Sequence, residues 1–318
     1  MKKIFVFSLR LFVSAALIMI LLYVMRGKYG EISGVLKGTK IWIFCLAFLA
    51  FIAAITIASF RLKLIIQASD IPIAFRDALS LTFIGYFFNN FLPTAVGGDI
   101  VKAYYLGRNS RDNLGSITSV FVDRVIGLFT MIFIASISLL FAGSQVVERP
   151  VRQIVLLITA CSIVVLVFAT NKNFARKFSF ILIMFKPLEK KLKDLYNAIH
   201  QYRHRKALIV QSFFISIVSQ GFFFLSIGIL ASSIGTPISM SEILLRIPII
   251  NVVSLLPSIN GLGLREGAMV VFFSPMIGSE NAFAIGILWF LVLFITSMVG
   301  GVIYGLNPQF KVKLREAA

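Results

Sequence analysis

Apolar residues occur along this chain in long blocks separated by short polar stretches. A hydrocarbon core about 30 Å thick needs roughly 20 apolar residues to be spanned as a helix. Six stretches reach or approach that length: residues 4–25, 41–60, 117–141, 151–169, 207–231 and 282–306. The first follows Lys2 and Lys3 as a signal peptide would. However, Arg10 interrupts it and no small-x-small cleavage site follows, so it reads as an anchor helix.

Two further apolar stretches have a different form. Residues 78–92 run into Pro93-Thr-Ala-Val-Gly97-Gly98-Asp99, and residues 243–256 run into Pro257-Ser-Ile-Asn260-Gly261-Leu-Gly263. At 1.5 Å per residue, such legs cover only about 22 Å. Each is followed by a second short leg, 100–106 and 268–273. Proline and glycine interrupt a helix there, and the freed backbone groups need protein or water, not lipid, as partners. The pattern predicts re-entrant hairpins or discontinuous helices, broken at Pro93, Gly97 and Gly98 and at Pro257, Gly261 and Gly263.

Charge decides between these two forms. Cytoplasmic loops of membrane proteins carry the excess of Lys and Arg. With both broken segments re-entrant and the N-terminus inside, 22 of the 31 basic residues fall on the cytoplasmic side, ten of them in 171–206. Six fall outside, and Arg124, Arg246 and Arg265 remain at membrane depth. Were both segments to span, the ten basic residues of 171–206 would lie outside. The re-entrant form is therefore expected, although the outer loop 26–40 carries four basic residues against the rule.

The two broken segments also match each other. A shift of 164 positions lays Phe91-Leu92-Pro93-Thr94 over Leu255-Leu256-Pro257-Ser258 and Gly97 over Gly261. Each half holds two spans, a broken segment and one span. Residues 1–142 and 151–306 therefore read as repeats A and B. Each crosses the membrane three times, so the two are inverted relative to one another. Broken helices meeting near the midplane of such repeats form the substrate sites of secondary transporters. The competing reading is two unrelated proline kinks. The expected fold is an all-α polytopic membrane protein of two inverted repeats, each with three transmembrane helices and one re-entrant hairpin. A basic amphipathic connector at 171–206, with Leu188, Leu192, Leu195 and Ile199 at helical spacing, is expected on the cytoplasmic leaflet. Residues 307–318 form a cytoplasmic tail.

Composition strengthens this picture. The chain is 58% hydrophobic and only 14% charged, with a mean hydropathy of +0.94. Soluble domains are about a quarter charged, so a soluble fold, a disordered chain and a nucleic-acid-binding domain are excluded. The net charge of +18 then points to anionic lipid headgroups. Cys45 and Cys161 lie in apolar runs and read as packing residues. His200 and His204 are four apart but have no third ligand nearby, so no metal site and no cofactor is expected.

Ionisable side chains at membrane depth are costly and point to function. The candidates are Asp99, Lys102, Asp123, Arg124, Arg246, Arg265 and Glu266, with Asn89, Asn90 and Asn260 as uncharged partners. Helix N-termini after the glycine breaks favour anions, an arginine adds a planar fork for phosphate, and a carboxylate suits a cationic or hydroxyl-bearing group. A site offering all of these fits a zwitterionic or amino-bearing lipid headgroup better than a simple ion.

Asn90-Phe-Leu-Pro93-Thr-Ala-Val-Gly97-Gly98-Asp99, Asp123-Arg124 within a span, and Pro257-Ser-Ile-Asn-Gly261-Leu-Gly263-Leu-Arg265-Glu266 together resemble the lysylphosphatidylglycerol synthase transmembrane-region family. In its multidomain members this membrane part is the flippase half of a multiple peptide resistance factor. The resemblance covers essentially the whole chain. It implies translocation of phospholipid or a polyprenyl-linked lipid between leaflets, with Asp99, Arg124, Arg265 and Glu266 at motif positions. Lys102 departs from the arginine expected there. The chain ends about twelve residues after its last span, so the aminoacyl-transferase domain of the multidomain members is not expected, nor is enzymatic activity.

The expected function is thus a lipid translocase in a bacterial or archaeal cytoplasmic membrane, with both termini cytoplasmic. Its headgroup site would comprise Asn90, Asp99, Lys102, Asp123, Arg124, Arg265 and Glu266. Anionic or aminoacylated phospholipid, or a polyprenyl lipid, is the expected partner, and a lipid synthase or a second copy of the chain is the candidate protein partner. A membrane-embedded lipid-modifying enzyme and an accessory subunit of a synthase are the alternatives.

Overall fold

The computed structural model describes residues 19–23, 25–91, 96–141, 148–170, 202, 205–256, 258 and 260–307, which are helical throughout apart from short turns. Among the described residues, ten helices follow a 3-10 turn at Arg26–Lys28. They are α1 (Tyr29–Lys37), α2 (Ile41–Gln67), α3 (Phe75–Phe91), α4 (Gly97–Ser110), α5 (Asn113–Phe141), α6 (Arg149–Thr170), α7 (Lys206–Ser233), α8 (Met240–Val253), α9 (Leu264–Ile277) and α10 (Ser279–Leu306). Helices α2, α5, α7 and α10 are long and apolar enough to cross a membrane. The protein is an all-α polytopic membrane protein. Most of the first predicted span, nearly all of the connector with His200 and His204, the tail from 308, and Pro93 and Pro257 lie outside the described residues.

The short legs fold back on themselves. In the first pair, α4 retraces α3. The backbone N–H of Gly98 donates to Asn89 Oδ1 at 2.7 Å near the tip. Further back, Tyr105 packs on Leu81 and Ile84, and Leu106 joins Leu62, Ile66 and Ile71, beside the entrance to α3. The second pair does the same. Arg246 Nε on α8 donates to the Phe272 carbonyl on α9 at 2.8 Å, so the end of α9 lies beside the start of α8.

The two hairpins enter from opposite ends. The mouth of α3–α4 shares its end with Tyr304 near the end of α10, whose ring packs against Tyr105. Tyr202 lies at that end too, where its hydroxyl bonds Ser69 at 2.6 Å and Ser119 at 3.1 Å. The mouth of α8–α9 lies at the other end, with the start of α2 and the end of α7, where Lys40 N–H donates to the Ser233 carbonyl at 2.8 Å. The first span of repeat A falls mostly outside the described residues.

Small residues hold the long helices close, as membrane helices require in the absence of a hydrophobic drive between them. On α7, Ser219 and Ser226 donate to the Ala54 and Ala47 carbonyls of α2 at 2.9 and 2.7 Å. On α10, Gly300 faces the Phe83 carbonyl of α3 with no room for a Cβ. Phe51, Ile55, Phe224, Ile227, Met269 and Trp289 are part of the main hydrophobic core, to which α2, α7, α9 and α10 all contribute.

Three expectations need correction. Residues 26–40 are not a plain loop, because a short helix, α1, forms within them. The second span does not stop at residue 60: α2 continues to Gln67, because the apolar pattern resumes at Leu62, Leu64, Ile65 and Ile66. That extension moves Arg61 from the supposed cytoplasmic loop into the protein interior. Cys45 and Cys161 are both exposed on the helix surface, not packed within the protein.

Candidate functional site

The two hairpin tips meet. Asn260, beyond α8, donates through Nδ2 to Asn90 Oδ1 at the end of α3. The break in the second hairpin is made by left-handed backbone at Asn260 (φ 48), Gly261 (φ 74) and Gly263 (φ 80). Glycine adopts that conformation without the Cβ penalty. The turn then delivers Arg265 and Glu266 into the first turn of α9.

Beneath the joined tips lies a cavity of about 360 Å³. Among the described residues, four cations line it (Arg61, Lys102, Arg124 and Arg265) together with two carboxylates (Asp99 and Asp123). Asn89, Asn251, Asn260 and Gln220 add amides, while Phe51, Leu128, Met131, Phe223, Trp289 and Leu293 supply apolar wall. The charges form three groups. On the first hairpin, Asp99 sits in the first turn of α4, where the positive end of a helix favours a carboxylate. It accepts from Lys102 Nζ at 3.1 Å and from Arg124 Nη1 of α5. The Lys102 stem lies across Gly85 of α3, where a Cβ would sit 2.5 Å from its Cε.

The second group pairs α2 with α5. Arg61 Nε donates to Asp123 Oδ1 at 2.7 Å, and its Nη1 donates to Ser216 of α7, also at 2.7 Å. Gly127 leaves the space into which this guanidinium fits, since a Cβ there would stand 3.3 Å from Nη2.

The third group is the second hairpin's own. Arg265 Nη2 and Nε donate to Glu266 Oε1 at 2.5 and 3.1 Å, while Glu266 Oε2 accepts from the Gly263 N–H at 2.8 Å. The Arg265 guanidinium also lies 5.4 Å from the centre of the Trp289 ring and 5.9 Å from that of Phe290.

Of the predicted site residues, Asp99, Lys102, Asp123, Arg124 and Arg265 therefore share one cavity. Asn90 stands at its roof through Asn260. Glu266 stands behind Arg265 and faces a small apolar pocket with Leu262 and Phe290. Gly97 and Gly98 open α4 as buried residues, and Gly98 touches α3. Arg246 is absent from the cavity. It lies at the mouth of the second hairpin, paired with Glu242 and, at 3.4 Å, with Glu148. The partner of Asp123 is Arg61. Sequence reasoning missed Arg61, and the apolar run resuming at Leu62 was the available signal.

The family model for the lysylphosphatidylglycerol synthase transmembrane region matches residues 7–301. The chain belongs to this family. The match takes in both hairpins and every residue of the cavity. Relatives include a UPF0104 membrane protein of Methanothermobacter thermautotrophicus, 25% identical over 77% of this chain and 79% of its own length. Another is a UPF0104 membrane protein of Pyrococcus horikoshii, 24% identical over 84% and 88%. A third, from Methanocaldococcus jannaschii, is 24% identical over 81% and 82%. No solved structure matches the chain.

Proposed function

We propose that this family member is a lipid translocase. The lipid headgroup passes through the cavity between the two hairpin tips while its acyl chains stay in the bilayer. One observation carries this reading: two hairpins entering from opposite ends join their tips over a single cavity lined by both charge signs and by apolar wall. A soluble ion would need no apolar wall, and an acyl chain would not need four cations. In a low-dielectric interior these charges act far more strongly than in water, so a headgroup leaving the interface exchanges hydration for fixed polar partners. Each hairpin closes the path at one end, and access alternates by rocking the hairpins about the cavity. In this reading the mouth of the first hairpin faces the cytoplasm of a prokaryotic cell, an orientation that the excess of Lys and Arg on that side supports.

The test is reconstitution into liposomes that carry a fluorescent phospholipid in one leaflet. The protein should dissipate that asymmetry, and Arg265→Ala or Asp99→Ala should abolish the activity while the purified protein keeps its elution profile. Wild-type protein that leaves the asymmetry intact across phospholipid and polyprenyl phosphate probes refutes the proposal. Unchanged rates in both variants would place the path elsewhere.

A further inference from the structure

Not all the polar groups of the cavity are charged. The amides of Asn89 and Asn260 are used at the hairpin tips, one by the Gly98 N–H and the other by Asn90. Gln220 of α7 and Asn251 of α8, which line the same cavity, are placed differently. Gln220 Nε2 donates to the Gly127 carbonyl of α5 at 3.4 Å, and Asn251 Nδ2 donates to the Ile247 carbonyl one turn back at 3.2 Å. Both carbonyls lie within helices, where a backbone N–H four residues on already serves them. Neither amide is therefore needed to satisfy the backbone, and each is only half-buried. An amide carries two N–H donors and an acceptor oxygen. In the described contacts each of these two keeps its oxygen and one N–H for a ligand. Phe223, one turn along α7 from Gln220 and on the same helix face, also lines the cavity and adds apolar surface.

A hydroxyl donates and accepts at once, as an amide does, whereas an alkyl group does neither. A ligand that leaves such amides without partners in a closed site is penalised, which is how a site built for hydroxyls rejects an analogue lacking them. We infer that Gln220 and Asn251 form a subsite for the hydroxyl groups of a polyol headgroup and select lipids that bear one. The inference rests on the translocase reading and narrows its substrate. Hydroxyls of one head engage Gln220 from α7 and Asn251 from α8, and Phe223 packs against the carbon skeleton. Gln220 reaches Gly127, against which the Arg61 guanidinium lies. The subsite thus borders the charged part of the cavity, which suits a polyol joined to a phosphate.

The experiment uses the full chain in vesicles of phosphatidylcholine that carry a trace of acyl-labelled phosphatidylglycerol or phosphatidylpropanol. These headgroups share their charge and carbon skeleton and differ only in the hydroxyls. Phosphatidylglycerol should cross at least about tenfold faster, a factor that one or two net hydrogen bonds supply. In Gln220→Met and in Asn251→Leu, which keep the bulk and remove the amide, the ratio of the two rates should fall toward one. A wild-type ratio near one would overturn the inference and leave the translocase standing. A ratio that survives both substitutions would overturn it as well, by moving hydroxyl recognition elsewhere in the cavity. Loss of both rates in the variants would show the amides to be structural and would equally overturn it. Protein-dependent uptake of radiolabelled glycerol 3-phosphate into the same vesicles would assign the subsite to a soluble polyol phosphate and overturn the lipid assignment. No movement of either lipid would refute the translocase itself, and the inference with it.

Discussion

The closest approach within the first hairpin is a glycine contact, and filling it should unseat the site. At Gly98 an added Cβ would stand 2.1 Å from the Gly85 carbonyl oxygen, 2.7 Å from its carbon and 2.9 Å from Asn89 Oδ1. Carbon and oxygen settle at about 3.3 Å or more, so Gly98→Ala must move α4 off α3 by roughly an ångström. Both obstacles at Gly85 are backbone, so no rotamer change relieves the clash. Overpacking of this kind costs about 1–3 kcal/mol, and the 2.7 Å bond from Gly98 N–H to Asn89 adds about 1 kcal/mol if it is lost. The expected destabilisation is thus about 2–4 kcal/mol. Asp99 and Lys102 ride on the displaced helix, so transport should fall with stability.

Gly85→Ala is the control. There the obstacle is the Lys102 Cε at 2.5 Å, and a flexible stem moves aside without shifting a helix. Thermal unfolding in detergent, followed by fluorescence-detected size-exclusion, reads both variants. A Gly98→Ala protein as stable as wild type, or a Gly85→Ala protein destabilised equally, would refute the close packing of α3 on α4.

The remaining predictions concern ion pairs. Asp123→Asn leaves the buried Arg61 guanidinium without its carboxylate, and breaking a pair of this kind costs about 3 kcal/mol or more. The melting temperature should drop clearly, and the double substitution Arg61→Met with Asp123→Leu should recover most of the loss. A single variant with unchanged melting would show the pair to be dispensable. At the opposite end, Lys28 Nζ donates to Glu280 Oε2 and Ser279 Oγ, both at 2.8 Å. The hydrogen bond to Glu280 holds the Lys28 ammonium above its ordinary pKa of 10.5. A raised lysine contributes its full stabilisation below the unfolded value and loses it as pH climbs through the folded one. A spin label at Gly30, where a side chain has open space, should therefore stay ordered past pH 10.5 and loosen only above it. In Glu280→Gln the loosening should move down toward the ordinary lysine range. Label mobility that shows no pH dependence would refute the tether.

Element existence was legible in the sequence wherever length alone decides it. The spans read at 117–141, 207–231 and 282–306 became Asn113–Phe141, Lys206–Ser233 and Ser279–Leu306, because polar turns bound them closely. The hairpins were legible because Pro, Gly and Asn cluster after legs too short to cross. Asn260, Gly261 and Gly263 indeed carry the left-handed backbone. What could not be read was partnership. Asp123 and Arg124 are neighbours in sequence but project to different sides of α5, one toward Arg61 of α2 and the other toward Asp99 of α4. Only the packing of α2 and α4 against different faces of α5 settles that. Arg61 was lost because a window of 20 apolar residues ends one position before it. A helix whose far end is buried in protein can carry a charge past that limit when Asp123 and Ser216 receive it.

The joined tips also explain why the charges cluster where they do. A hairpin that stops part-way leaves backbone N–H and C=O groups at its tip without helical partners, and lipid cannot supply them. Each tip caps backbone of its own, as Asn89 does for the Gly98 N–H and Glu266 for the Gly263 N–H, while the Asn260–Asn90 side-chain bond joins the two tips. Polar side chains are therefore needed at the tips for folding alone. Four of the interior charges exceed that need. Arg61 and Asp123 pair with each other from two long helices, and Arg124 and Lys102 both reach the Asp99 side chain. A fold that required only capped tips would have no cause to add these at a desolvation cost of several kcal/mol per ion. Under the proposed translocase, their place around one cavity gives them a role in holding what passes through it.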